Sequence, residues 1–171
     1  VMDPTLISWS SSLIPKALRG DSYEYSPNRL QQGVYRPFCK QNVYFDSIFN
    51  HRPGKNTIYF PTPQRENVGV LVTSPGGNAP FTALCVKNVP DLVSVTGAGN
   101  AAQFFPRWTY EKVSADDGLF AASSGEVDEY GYRRLDNITD EILAVYREKF
   151  GPQVSKDDIF HYVYGVLHSQ Q

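Results

Sequence analysis

Long apolar runs are missing from this chain of 171 residues. None approaches the roughly 18 residues that a membrane-spanning helix requires, so no membrane span is expected. Cysteine is scarce: Cys39 and Cys85 are the whole supply. Each lies in an apolar, strand-like segment, which points to buried reduced thiols in a cytosolic protein and leaves a disulfide open. The three histidines, His51, His161 and His168, have no ligand-like spacing to the cysteines, so no zinc site is expected. His161 and His168 read as partly exposed positions on a packed helix. There is no G-x-x-x-x-G-K-[ST] phosphate loop and no G-x-S-x-G nucleophile elbow. These absences together predict a chain with no catalytic residue, no metal and no cofactor of its own.

Hydrophobic residues at 41% and aromatics at 13% suffice for a core, and the length suits one domain. Val1 is followed by no signal or transit pattern, and Gln171 comes straight after a helix with no stop signal. The expectation is a cytoplasmic piece of a longer polypeptide. The net charge of −2 conceals an asymmetry. Through Arg65 there are eight Lys and Arg against four acids, a net of +4; beyond it, eight against fourteen give −6. A polyanion would meet the first third of the chain.

The periodicity changes along the chain. Residues 10–19 can form a short helix started or interrupted at Pro15, and 20–32 are polar and rich in turn formers. Residues 34–38, 43–49, 57–60, 68–73, 81–86, 92–96 and 104–110 are rich in Val, Phe, Tyr and Thr and separated by Pro, Gly and Asn, as successive strands are. Val70, Leu71 and Val72 are apolar in succession, which marks a central strand. Residues 114–131 read as an exposed acidic loop. Ile138, Ile142, Val145, Tyr146 and Phe150 then recur at helical spacing behind a Thr139 or Asn137 cap. Gly151 and Pro152 stop that helix, and Ser155 with Asp158 approximates a capping box for a second, with Ile159, Phe160, Val163, Val166 and Leu167 as its stripe. Both stripes read as core packing. The fold class is therefore α+β: a mixed, mostly antiparallel sheet of about five to seven short strands with a C-terminal helical hairpin. Its parts are an N-terminal helix and polar connection (1–33), a β-rich lobe (34–113), an acidic loop (114–134) and the hairpin (135–171).

Two motifs compete for a chemical reading. Gly97, Gly99 and Ala102 spell G-x-G-x-x-A after a strand-like run, but a dinucleotide site needs a helix opening at the glycines, and Phe104-Phe105-Pro106 looks extended. The basic, aromatic first third is the stronger signal. Tyr35-Arg36-Pro37-Phe38-Cys39-Lys40-Gln41 and the later cations supply side chains that reach phosphates and base edges. The candidate DNA contacts are Arg36, Lys40, Arg52, Lys55, Asn56, Gln64, Arg65 and Lys87, with Asn56 and Gln64 suited to adenine. Arg36 could instead be a buried structural arginine in its compact aromatic phrase. Phe38, Phe45 and Phe60 are expected in the core.

Eight phrases in order carry a family resemblance: Ile7-Ser8-Trp9-Ser10, Tyr35-Arg36-Pro37-Phe38, Tyr44-Phe45-Asp46, Phe81-Thr82-Ala83-Leu84, Val89-Pro90-Asp91-Leu92, Phe105-Pro106, Ile138-Thr139-Asp140, and Asp158-Ile159-Phe160-His161-Tyr162-Val163-Tyr164-Gly165-Val166-Leu167-His168-Ser169. The chain thereby resembles the C-terminal specificity region of type ISP single-polypeptide restriction-modification enzymes and related predicted helicases. Cys39 departs from the Asp or Thr frequent there, and the family runs on beyond the Leu-His-Ser phrase. The resemblance implies a noncatalytic region that reads double-stranded DNA for helicase, nuclease and adenine methyltransferase domains of the same polypeptide. ATP, Mg and S-adenosylmethionine would belong to those domains. The alternative is a scaffold that docks the methyltransferase to the motor through the helical hairpin.

Overall fold

The computed structural model describes residues 3–5, 9–46, 48–51, 53–76, 78–97, 100–113 and 126–169. In chain order the elements are α1 (Leu13–Leu18), β1 (Leu30–Arg36), β2 (Cys39–Tyr44), α2 (Asn56–Tyr59), β3 (Gly69–Thr73), β4 (Ala83–Val86) and β5 (Val89–Pro90). They continue with β6 (Ala102–Pro106), β7 (Trp108–Lys112), β8 (Tyr132–Asp136), α3 (Asp140–Phe150) and α4 (Lys156–Leu167). The strands form three small sheets, ordered β2-β1-β5, β4-β3-β6 and β7-β8. All pairings are antiparallel except β1 with β5. The α+β class holds, with the strands divided among three sheets.

β3 is central, and its consecutive apolar residues follow from cover on both faces. Leu71 points toward Val34 and Val86, with Phe104, Leu84 and Val95 packed around them. Val70 points the other way, toward Ala83 and Phe160, joined by Tyr164, Leu167 and Ile138. The sheet is thus braced on one side by α4 and met on the other by β1. Gly69 is required at this junction: a Cβ there would run into the Phe104 ring and lie 2.9 Å from the Phe105 carbonyl oxygen.

Several strand expectations give way to turns, each for a local reason. Residues 57–59 are helical in α2 and Phe60 caps it, because the Pro53-Gly54 turn leads into the bonds Tyr59 N to Lys55 O (3.2 Å) and Phe60 N to Asn56 O (2.9 Å). Residues 92–96 are a turn: the Asp91 carboxylate accepts from Val93 N at 2.9 Å, and Asp91 O accepts from Ser94 N at 3.2 Å. Residues 104–110 divide at Arg107, whose N–H donates to Val68 O while its carbonyl accepts from Asn137 N. Of the strand expected at 43–49, only Val43 and Tyr44 are extended, as the end of β2. β1 opens at Leu30, inside the stretch read as a polar connection, and β8 was not foreseen. Ala102–Pro106 is a strand, which removes the helix a dinucleotide site needs; Ala98 and Gly99 lie outside the described residues. Most of the acidic loop, 114–125, is also outside them.

The helical hairpin has the expected caps. Thr139 Oγ1 accepts from Ile142 N, Gly151 adopts φ +104, and Ser155 and Asp158 complete a reciprocal capping box. Its packing differs from expectation. α4 buries Ile159 and Phe160, but α3 buries nothing, and Ile142, Val145, Phe150, Tyr162, Val163 and Val166 are exposed. Only one side of α4 meets a sheet; on the outer stripe Tyr146 meets the Phe150 and Tyr162 rings, and the stripe otherwise stays exposed among the described residues. The hairpin is fastened by charge. Arg107, 5% exposed, pairs with Asp136 and lies 2.8 Å from Asp157, while Lys156 Nζ lies 3.4 Å from Asp136 and 2.7 Å from Asp140. These contacts join the β6–β7 corner, the end of β8 and both helices.

Candidate nucleic-acid interface

β1 and β2 form a ribbon that is anchored at its base and free at its tip. At the base, Arg29 pairs with the buried Asp46. Asp46 Oδ1 accepts from Ile48 N (2.6 Å), and Phe45 N donates to Arg29 O (2.7 Å). Tyr44 stacks on Tyr25 at 5.5 Å between ring centres and meets Phe49 edge-on at 5.6 Å. Alongside, β5 pairs with Gly33 and Val34, and Ser94 Oγ donates to Val34 O at 2.6 Å. Asn56 Nδ2 fixes Pro90 O at 3.1 Å.

From Tyr35 to Asn42 every residue is exposed. This stretch, Tyr-Arg-Pro-Phe-Cys-Lys-Gln-Asn, contains no Ala, Val, Leu or Ile and no acid. The register shifts between Val34 and Arg36, so Tyr35 is bulged out, and bulges re-aim the side chains beside them. The Arg36 guanidinium stacks 4.3 Å from the centre of the Tyr35 ring and donates to Tyr35 O at 3.0 Å. Arg36 is therefore a surface group and not a buried structural arginine. Cys39 and Phe38 are exposed too, against expectation, because the ribbon tip projects beyond any core. Phe60 is buried, as expected, and Phe45 is half-buried. Cys85 is half-buried, and burial pushes its thiol pKa up against a smaller opposing pull from Lys87.

The remaining candidates fall around this ribbon unevenly. Lys40, Arg65 and Lys87 line one cleft of about 660 Å³, together with Gln32 and Asn88. Lys55 and Asn56 line another, of about 640 Å³, with Gln41, Asn42, Asn50 and His51. Gln64 is exposed in the connection before β3, and Arg52 lies outside the described residues. Ion pairs among the described residues take up Arg65, whose Nε is 2.9 Å from Asp128 and whose guanidinium sits 4.5 Å from the Tyr130 ring centre. Arg36, Lys40, Lys55 and Lys87 enter no such pair. Between Tyr25 and Pro90 the only acids are Asp46, which is buried under Arg29, and Glu66. The ribbon tip thus carries positive charge outside any ion pair of the described residues, while exposed Glu66 and Asp91 line the clefts on either side.

The contacts named from the sequence are six cations with Asn56 and Gln64; Tyr35, Phe38, Gln41, Asn42, Gln32 and Asn88 are not among them. The available signal was the lack of Ala, Val, Leu and Ile from 35 to 42, which leaves only Tyr35, Pro37, Phe38 and Cys39 as apolar residues among Arg36, Lys40, Gln41 and Asn42.

A comparison with curated proteins finds no match. Solved structures do match. The ATP-dependent type ISP restriction-modification enzyme LlaBIII bound to DNA is 27% identical, with a TM-score of 0.70 over 95% of this chain and 10% of that one. The DrdV–DNA complex is 27% identical, with a TM-score of 0.74 over 95% of this chain and 14% of that one. A nuclease-deletion mutant of the type ISP enzyme LlaGI in complex with a DNA substrate mimic is 30% identical, with a TM-score of 0.65 over 96% of this chain and 10% of that one. The chain thus matches only a small part of each of these polypeptides. The profile of the type ISP C-terminal specificity domain matches residues 1–171. With three solved structures of similar fold behind that full-length match, the chain belongs to the type ISP C-terminal specificity domain family.

Proposed function

We propose that this chain is the DNA target-recognition region of a larger restriction-modification polypeptide and reads double-stranded sequence for its helicase, nuclease and adenine methyltransferase domains. The observation that carries this reading is the acid-free, fully exposed ribbon tip beside unpaired Lys40 and Lys87. A two-stranded ribbon is of a size that the major groove of B-form DNA admits. Lys40 and Lys87 suit phosphates as compact charges, and Arg36 suits a bidentate contact to guanine. Gln41 and Asn42 suit adenine. Lys55 and Asn56 flank the ribbon from the second cleft. Arg65 braces the fold against Asp128 and contributes little to the surface. The region does no chemistry itself; ATP, Mg and S-adenosylmethionine serve the attached domains, which are its partners along with DNA. The relatives bound to DNA support this reading by their similarity. No helix is long and apolar enough to cross a membrane among the described residues, and a cytoplasmic setting fits a restriction function.

Selection from a randomised pool of duplexes by the complete polypeptide tests it. Convergence on one short sequence, shifted at one position by Arg36→Gln, is expected. A wild-type pool without convergence contradicts the reading.

The exposed outer stripe of α3 and α4 favours a second task for the same piece: docking against a neighbouring domain. Tyr162 is exposed there, whereas Tyr164 is half-buried against the β3 sheet. Docking through that stripe leaves the ribbon free, so the two roles are compatible.

A further inference from the structure

Phe38 combines surface exposure with an unfavourable backbone. It is 90% exposed and adopts φ +63, the only positive φ outside glycine among the described residues. For a bulky side chain the left-handed region is a genuine outlier, sterically disfavoured against the right-handed one. It follows Pro37, whose ring holds φ near −65°, so the pair has the sign pattern of a turn that ordinarily places Gly or Asn second. Nothing in the fold repays the cost, since the ring takes part in none of the ring contacts of the described residues. Hydrophobic exposure and backbone strain therefore meet at one residue, at the apex of the ribbon. The strain is held in place by the Arg36–Cys39 pairing on either side and by the rigid proline.

We propose that Phe38 is a base-step wedge: its ring inserts into the stack of duplex DNA while the flanking Arg36 and Lys40 hold the phosphates or base edges on either side. This rests on the DNA-reading function above and adds a residue and a mode to it. An apolar side chain pushed between base pairs offsets their unstacking by its own contact with the bases. The partner is duplex DNA because the tip itself, from Tyr35 to Asn42, offers two cations, two amides and no carboxylate, with Asp91 and Glu66 set back along the clefts. An apolar protein partner is poorly matched by that rim. A step that unstacks easily, such as pyrimidine–purine, is favoured, so Phe38 contributes to sequence choice without a hydrogen bond.

Phe38→Gly separates this role from a structural one, because it removes the ring and relieves the strain together. In the complete polypeptide, free of DNA, Phe38→Gly is expected to melt at the same or a higher temperature; binding is then compared on the duplex selected by the wild type. Its affinity is expected to fall about 5- to 100-fold, on the scale of a base–aromatic stacking contact. With 2-aminopurine placed at successive positions of that duplex, wild type is expected to raise the fluorescence at one step. Phe38→Gly abolishes that rise and Phe38→Trp restores the affinity. Equal affinity of Phe38→Gly and wild type overturns the proposal. So does an absent wild-type fluorescence rise at every position, or a lower melting temperature for Phe38→Gly, which marks the ring as packing. Failure of the wild type to select any sequence removes the DNA reading itself, and the wedge with it.

Discussion

At the scale of single residues, two arginines of similar composition context do opposite work, and only packing separates them. Arg36 lies on a ribbon tip with no carboxylate beside it, whereas Arg107 is enclosed by Asp136, Asp157 and the Trp108 ring, 5.1 Å away. Arg107→Ala leaves two carboxylates without their shared partner and opens a cavity at the β6–β7 corner. A loss of about 3 kcal/mol is expected in chemical denaturation. Lys40→Gln and Lys87→Gln are expected to leave stability unchanged and to lower the salt dependence of DNA binding. Each should reduce the slope of log affinity against log salt by about 1. Unchanged slopes in both variants would place the phosphate contacts elsewhere. The cations of the candidate interface were legible in the sequence as residue types. Arg65 was not distinguishable from Lys40, because its partner Asp128 is far away in the chain and their pairing depends on the tertiary fold. Asn67 was equally silent: buried, it donates to Tyr59 O and Trp108 O and accepts from Val68 N, tying α2 to β3 and β7.

At the scale of elements, local chemistry decided what the sequence could tell. The helix caps follow from neighbours three residues apart, so Thr139, Gly151 and the Ser155–Asp158 box were readable in advance. Ser155→Ala is expected to cost about 1 kcal/mol, or about 3 °C in melting temperature. The box also holds the Asp158 carboxyl below its usual range, chiefly through the Ser155 hydroxyl. Burial of the helical stripes was not readable, because periodicity states that a helix has an apolar side and not that anything covers it. Val145 is 60% exposed, so Val145→Glu is expected to change the stability of this chain by less than about 0.5 kcal/mol. In the complete polypeptide a larger loss is expected if the outer stripe docks against a neighbour. Short strands were found where β-branched and aromatic residues gathered, but segment 57–60 carries the same residues in the short helix α2 and its cap, and 92–96 carries them in a turn. There the Pro53-Gly54 reversal and the Asp91 carboxylate outweigh propensity.

At the scale of the whole molecule, the acid-sensitive joint is the carboxylate cluster that fastens the hairpin. Burial raises the Asp136 pKa, but the bond and charge of Arg107, with help from Lys156, outweigh this and leave it below the usual carboxylate range. A depressed folded value means that the stabilisation is present above the unfolded value and is lost as pH falls through the folded one. The melting temperature is therefore expected to decline below about pH 4, where an ordinary carboxylate takes up its proton. In Asp136→Asn this part of the decline is expected to disappear; an unchanged acid limb in that variant would locate the sensitivity in other carboxylates. The same joint keeps α4 on the β3 sheet, and so keeps the ribbon's supporting layer in place while its tip stays free.

The most direct measurement of the central claim is an exchange of residues 34–90, which hold the ribbon tip and most of the residues lining both clefts, for those of a relative in the complete polypeptide. The modified sites are then mapped along genomic DNA. A recognition sequence that follows the exchanged segment is the expected result. Methylation that stays at the original sites, in a folded and active hybrid, would contradict the assignment of sequence reading to this region.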